Sequence, residues 1–165
     1  MAKKKSKHKG DTPTIENRKA RHDYHIDRTL EVGIKLLGTE VKSVREGKVS
    51  LKEGYVRVQE ARPPSLWLHS VHIAEYDHAA KAFQHATTRT RLLLAHKREI
   101  AELVKETAIR GVTIVPLKMY FKDGRAKVEL ALARGKHTYD KRESIKRRMD
   151  DRDAQRALRR GRDRG

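Results

Sequence analysis

The stretch Tyr24–Leu51, YHIDRTLEVGIKLLGTEVKSVREGKVSL, changes its hydrophobic period once, and that change constrains the fold more than any other feature. As far as Leu36 the period is that of a strand. Tyr24, Ile26, Leu30, Val32, Ile34 and Leu36 share one face, interrupted on that face only by Arg28. At Gly38-Thr39 the pattern turns helical. Thr39 can accept a hydrogen bond from an amide of the next turn, and Glu40 suits the positive N-terminal end of a helix. Val41 and Val44 then fall on one side, with Lys42 and Arg45 on the outer faces, and Gly47 can end the helix in a left-handed conformation. A strand hands over to a short helix with exposed basic residues.

From chemistry alone, that helix could be an ordinary solvated amphipathic one. The run Gly-Thr-Glu-Val-Lys-Ser-Val-Arg, Gly38 to Arg45, followed by Gly47-Lys48-Val49-Ser50-Leu51, is more specific. It closely resembles the SsrA-binding protein family (small protein B), the bacterial partner of tmRNA in rescuing stalled ribosomes. Three further blocks resemble the same family in the same order. They are Asn17-Arg18-Lys19-Ala20-Arg21-His22-Asp23-Tyr24, then Arg89-Thr90-Arg91-Leu92-Leu93-Leu94, then Gly135-Lys136-His137-Thr138-Tyr139-Asp140-Lys141-Arg142-Glu143. The match departs at Leu92 and at His137, where the family usually has lysine.

Charge narrows the partner independently. A chain of 165 residues suits one domain, and a net charge of +18 on so small a body calls for a polyanion, most commonly nucleic acid. An anionic membrane would instead favour a basic amphipathic helix with a broad apolar face, which the sequence lacks. No apolar run approaches a membrane span, and Met1-Ala2-Lys3-Lys4-Lys5 is not followed by the apolar core of a secretory leader. The absence of cysteine excludes disulfides, thiolate zinc sites and thiol catalysis. A cytoplasmic location fits.

Residues 1–14 are lysine-rich without periodic hydrophobics and read as a disordered basic arm, either a solubilising tail or an RNA contact. Tyr55–Val58 and Leu66–Tyr76 read as strands around the turn Arg62-Pro63-Pro64, with Trp67, Val71 and Ile73 on one core-facing side. Ala79–Thr88 reads as a loop. His96–Arg110 is a helix with Ile100, Leu103, Val104 and Ala108 as its apolar stripe, covering one open end of the sheet. Val112–Phe121 and Ala126–Ala133 form a hairpin through a type I′ turn at Asp123-Gly124, and Pro116 demands an edge or a bulge. Strands without βαβ alternation favour a small, closed or partly closed antiparallel barrel within residues 15–134. Beyond it, residues 135–165 are strongly basic and nearly free of hydrophobics, a tail that composition leaves disordered when free.

The resemblance implies more than composition can. It implies a mainly β fold, an oligonucleotide-binding (OB) type barrel with about three helices packed on it. It implies that this barrel holds the tRNA-like part of tmRNA through Asn17, Lys19, His22, Glu31, Lys42, Arg45, Lys48, Arg89, Arg91 and Lys127. Lysine and arginine would meet phosphates, while Glu31 would accept hydrogen bonds from base or ribose groups. It implies that the tail enters the vacant mRNA path and folds into a helix against small-subunit rRNA. Lys136, Tyr139, Asp140, Lys141, Arg142, Ile145 and Lys146 would make the decoding-site contacts. A monomer without cofactor or metal is expected.

Two rival classes remain. An RNA-modifying or hydrolytic enzyme could draw on nine histidines, but His22 with His25 and His69 with His72 are each three apart, on opposite faces if in strands. No phosphate-binding loop, nucleophile elbow or His-Glu-x-x-His motif occurs, so catalysis is not expected. The other rival is a basic structural protein of the ribosome, which would bind rRNA constantly rather than come and go with tmRNA.

Overall fold

The handover from strand to helix is present in the computed structural model, which describes residues 12–136 and Met149. In chain order the elements are β1 (Ile15–Glu16), α1 (Arg18–Asp23), β2 (Tyr24–Ile34), α2 (Gly38–Arg45), β3 (Val49–Ser50), β4 (Tyr55–Gln59) and β5 (Ser65–His69). There follow β6 (His72–Ile73), a 3-10 turn (Lys81–Phe83), β7 (Arg91–Leu94), α3 (Lys97–Thr107), β8 (Val112–Lys122) and β9 (Arg125–Gly135). Within residues 12–136 the architecture is mainly β with three α-helices, and every strand pairing there is antiparallel. One sheet has the order β1-β8-β4-β5-β7-β2-β9, and β8 pairs with β9 as well. The short β3 and β6 pair separately.

The main core lies inside this sheet and is built from Val32, Ile34, Val44, Leu66, Leu68, Ile100, Leu103, Ile114 and Leu130, among others. A smaller cluster of Ala20, Val115, Leu117, Ala131 and Ala133 seats α1 against β8 and β9, with Tyr24 packed on it. These two clusters explain where the simple alternation fails. The β2–β9 ladder carries a bulge between Ile26 and Arg28, and an extra residue there exchanges the two faces of the strand. Leu30, Val32 and Ile34 therefore serve the main core and Tyr24 the smaller one, while Ile26, expected inside, is 36% exposed. Arg28 reaches out to Glu102 (2.8 Å) and Glu106 (3.5 Å) and so ties β2 to α3.

A second break corrects the expected strand Leu66–Tyr76. Ser70 takes φ 55, which ends β5 and restarts pairing at β6. Leu66 and Leu68 point inward on one side of this break, Val71 and Ile73 on the other. Trp67 thus loses the core position expected for it and is half-buried, its Nε1 donating to Ser65 Oγ at 3.0 Å. The expected bulge at Pro116 is present, with the β8–β9 register shifting between Pro116 and Lys118. Asp123 and Gly124 have φ 51 and 73, as the type I′ turn requires.

Candidate nucleic-acid interface

The α2 helix is anchored from inside. Leu37, not Thr39, precedes its first turn, and the Leu37 amide donates to Glu40 Oε2 at 2.7 Å. Val44 is completely buried, Gly47 closes the helix at φ 76, and Lys42 and Arg45 stand on the exposed side. Glu40 lies in the first turn as expected, but its side chain has 0% exposure. Its Oε1 accepts from Arg89 Nε and Arg91 Nε, both at 2.8 Å, and its Oε2 accepts from Arg89 Nη2 at 2.5 Å. Burial pushes this carboxyl up, but hydrogen bonds from Arg89, the Leu37 amide and Arg91 pull it further down, leaving it below the ordinary value.

Arg91 completes the network. Its Nη1 donates to the carbonyls of Val71 (2.7 Å) and Arg89 (3.0 Å), and its Nη2 to that of Thr87 (2.9 Å). With no exposure, it has no surface to offer a phosphate. The expected role of Arg91 as an RNA contact is corrected to that of a buried clamp joining α2, β7 and the loop before β7. Arg89 differs: its side chain keeps 28% exposure while gripping Glu40, so it remains on the surface beside α2.

The cations of α2 lie over aromatic rings. Lys42 Nζ is 4.8 Å from the ring centroid of Tyr76, and the Arg45 guanidinium is 5.4 Å from that of Phe121. These contacts hold each charge close to the helix without neutralising it. Lys48 behaves otherwise, bound to Asp77 at 2.5 Å and Glu46 at 2.9 Å, and the hydrogen bond to Asp77 is the main reason its ammonium is held above the usual lysine range.

A second basic group forms around α1. Asn17 caps that helix, its Oδ1 accepting from the Ala20 amide at 3.1 Å. Its Nδ2 donates to the carbonyls of Leu51 (2.8 Å) and Pro116 (3.0 Å), and the residue is 2% exposed. Asn17 is therefore also corrected, from RNA contact to structural pin. Around it Lys19 bonds Glu53 at 2.8 Å and His22 Nδ1 lies 2.9 Å from Asp23. The Lys136 amide donates to the Asp23 carbonyl at 2.9 Å, and its Nζ reaches the Arg21 carbonyl at 3.4 Å. The end of β9 is thus tied to α1, and a polar cleft of about 360 Å³ opens beside Lys19 and Tyr24.

Glu31 and Lys127 meet on neighbouring strands. The Tyr120 hydroxyl donates to Glu31 Oε2, and Lys122 and Lys127 each lie 3.5 Å from Oε1. The Tyr120 hydrogen bond is the main cause holding the Glu31 carboxyl below its ordinary value, while the Tyr120 hydroxyl is pushed up to about 12. Glu31 is already supplied with donors from its own chain. Lys127 borders a groove with Leu92, Leu94 and His96 on its other side.

Three groups result: α2 with Arg89, α1 with Lys136, and Glu31 with Lys127. Sequence reasoning missed Glu40, Tyr76, Asp77 and Phe121. Glu40 lies inside the most specific motif, yet nothing local marks it as buried, because its partners come 49 and 51 residues later. Tyr139, Asp140, Lys141, Arg142, Ile145 and Lys146 lie outside the described residues.

A mainly β body with a rigid basic helix and a strong cationic excess defines a nucleic-acid-binding protein in class. The comparisons with known proteins name the family. The SmpB protein family model matches residues 14–160. An SsrA-binding protein of Thermobifida fusca is 52% identical, the match covering 98% of this chain and all of that one. Another, from Ligilactobacillus salivarius, is 51% identical over 96% of this chain and 97% of its own. The fold is also similar to a solved chain described as "tmRNA-SmpB: a journey to the center of the bacterial ribosome", at TM-score 0.64 and 44% identity, covering 81% of this chain and 94% of that one. The chain belongs to the SmpB family of SsrA-binding proteins.

Proposed function

We propose that this protein binds tmRNA and delivers it to stalled ribosomes, the body holding the tRNA-like part and the C-terminal tail entering the empty mRNA path. The observation that carries the reading is the α2 face. Lys42 and Arg45 project from a helix whose other side is locked by Glu40, Arg89 and Arg91, so two phosphate-binding charges are held in place before RNA arrives. Relatives named for binding SsrA, at about half identity over nearly the whole chain, support the same partner. The pairing order, with β8 bonded to both β4 and β9, supports a closed OB-type barrel as the body.

Within this reading Lys42, Arg45 and Arg89 meet phosphates, and Lys19, His22 and Lys127 extend the contact on the other two groups. Glu31 sets the position of Lys127 as well as offering an acceptor. Residues 1–14 act as a basic arm, 15–134 as the body and 135–165 as the tail. The protein works in the cytoplasm, as a monomer, without cofactor or metal, and does no chemistry of its own. Among the described residues, no helix is long and apolar enough to cross a membrane.

Purification of the tagged chain from its native cells, followed by sequencing of the retained RNA, tests the proposal. tmRNA should dominate. Recovery of rRNA in constant proportion, with tmRNA at background, would favour the structural ribosomal protein instead.

A further inference from the structure

Phe83 is 77% exposed, the most exposed large hydrophobic side chain among the described residues. A lone apolar residue on a surface needs no explanation in general. This one is different because of what holds it. It ends the 3-10 turn Lys81–Phe83, inside a loop that Gln84 clasps shut. Gln84 Nε2 donates to the carbonyls of Tyr76 (2.7 Å) and Ala79 (3.0 Å), and its Oε1 accepts from the Tyr76 amide at 3.1 Å.

Both legs of that loop are fastened to α2 and its C-terminal flank. On the outward leg, Lys42 lies over the Tyr76 ring and Lys48 pairs with Asp77. On the returning leg, buried His85 has Nδ1 2.9 Å from Thr39 Oγ1 and Nε2 3.1 Å from the Ile73 carbonyl. The loop is a finger mounted on the basic helix, with an aromatic ring near its tip.

We propose that Phe83 stacks on an unpaired base of the tmRNA that the α2 face binds. The inference rests on the α2 reading given above. Its own support is the pairing of one bare ring with cations on the same unit. A protein groove accepting a phenylalanine would ask for further apolar neighbours, but this ring is flanked by Ala80, Lys81 and Ala82, all exposed. A base needs only one flat face, with cations nearby for the adjoining phosphates. The alanines are too short to shield the ring. Lys48, expected as a phosphate contact, gains a second role in this arrangement, because its bond to Asp77 fixes the finger's root.

The test uses the full chain and in vitro transcribed tmRNA, with affinity measured across a salt series. Phe83→Ala and Phe83→Leu should each weaken binding about tenfold or more, whereas Phe83→Tyr should bind like the parent. The slope of log affinity against log salt should not change, because the ring neutralises no phosphate. Gln84→Ala, which keeps the ring but opens the clasp, should also weaken binding. Lys42→Ala with Arg45→Ala serves as the reference, losing affinity and slope together. Parental affinity in Phe83→Ala or Phe83→Leu, or a changed slope, overturns the proposal. If the reference variant still loses affinity, only the finger is wrong; if it does not, the α2 reading fails with it.

Discussion

Arg91 Nε lies 2.8 Å from Glu40 Oε1, and neither side chain has any solvent exposure. The contact joins residues 51 apart in sequence and fastens the N-terminal half of α2 to β7. A buried ion pair like this adds less stability than its Coulomb attraction suggests, but removing one partner strands the other. Its consequence is positional: the basic side of α2 has one orientation.

Glu40→Ala should therefore destabilise the fold by about 3–5 kcal/mol, since Arg91 would be left buried and unpaired. Urea denaturation followed by circular dichroism measures this. A loss under about 1 kcal/mol would mean that water or another acceptor replaces the carboxylate.

The same residue sets an acid limit. The folded-state Glu40 carboxyl is held below its ordinary value, so its contribution is fully present above the unfolded-state value of about 4.3 and is lost as pH falls through the folded value. Stability should fall below about pH 4.5 in the parent. In Glu40→Gln the fall over that window should be shallower. Thermal melts between neutral and acid pH read the difference.

Asn17→Ala should cost about 1–3 kcal/mol by removing the cap and the hydrogen bonds to the Leu51 and Pro116 carbonyls, without altering the salt dependence of RNA binding. Asn17→Asp keeps the acceptor for the Ala20 amide but cannot donate to Leu51 and Pro116, so it should rescue only part of the loss. Equal stability of Asn17→Asp and the parent would contradict the pinning role.

Lys42→Ala and Arg45→Ala should each lower the slope of log affinity against log salt by about 0.7–0.9 for each phosphate left unneutralised. Lys48→Ala should lower it less, because Glu46 and Asp77 already hold that charge. Filter binding of tmRNA at several salt concentrations separates the three. A slope change for Lys48 equal to the others would show that RNA displaces its carboxylates.

A chain ending at Thr138 should fold, since β9 ends at Gly135 and both core clusters, among the described residues, are built from residues before it. It should bind tmRNA yet fail to support peptide tagging on ribosomes with an empty decoding site. Tyr139→Ala should weaken the tail's binding by about 1–3 kcal/mol, and Tyr139→Phe should be nearly silent. Equal loss of tmRNA binding and tagging on truncation would remove the division of labour.

By itself the sequence determined what depends on neighbouring residues. The alternation of Leu30, Val32 and Ile34 in β2, the change of period at Gly38, the left-handed stop at Gly47, the bulge at Pro116 and the turn at Asp123-Gly124 are all local in origin, set by side-chain period and backbone sterics. Net charge and the four motif blocks determined the kind of partner in the same way. Only the tertiary structure decided which side of each motif faces water. Arg89 and Arg91 are two residues apart in one motif, yet one is at the surface and the other sealed inside, because Glu40 and the Val71 and Thr87 carbonyls wait where Arg91 points. Asn17 departs from expectation for the same reason, and Trp67 because the break at Ser70 leaves Leu66 and Leu68 as the inward side of β5. A bulge at Asp27, a break at Ser70 and a buried acid from a distant helix are nonlocal events, and burial is a sum over neighbours that no sequence window contains.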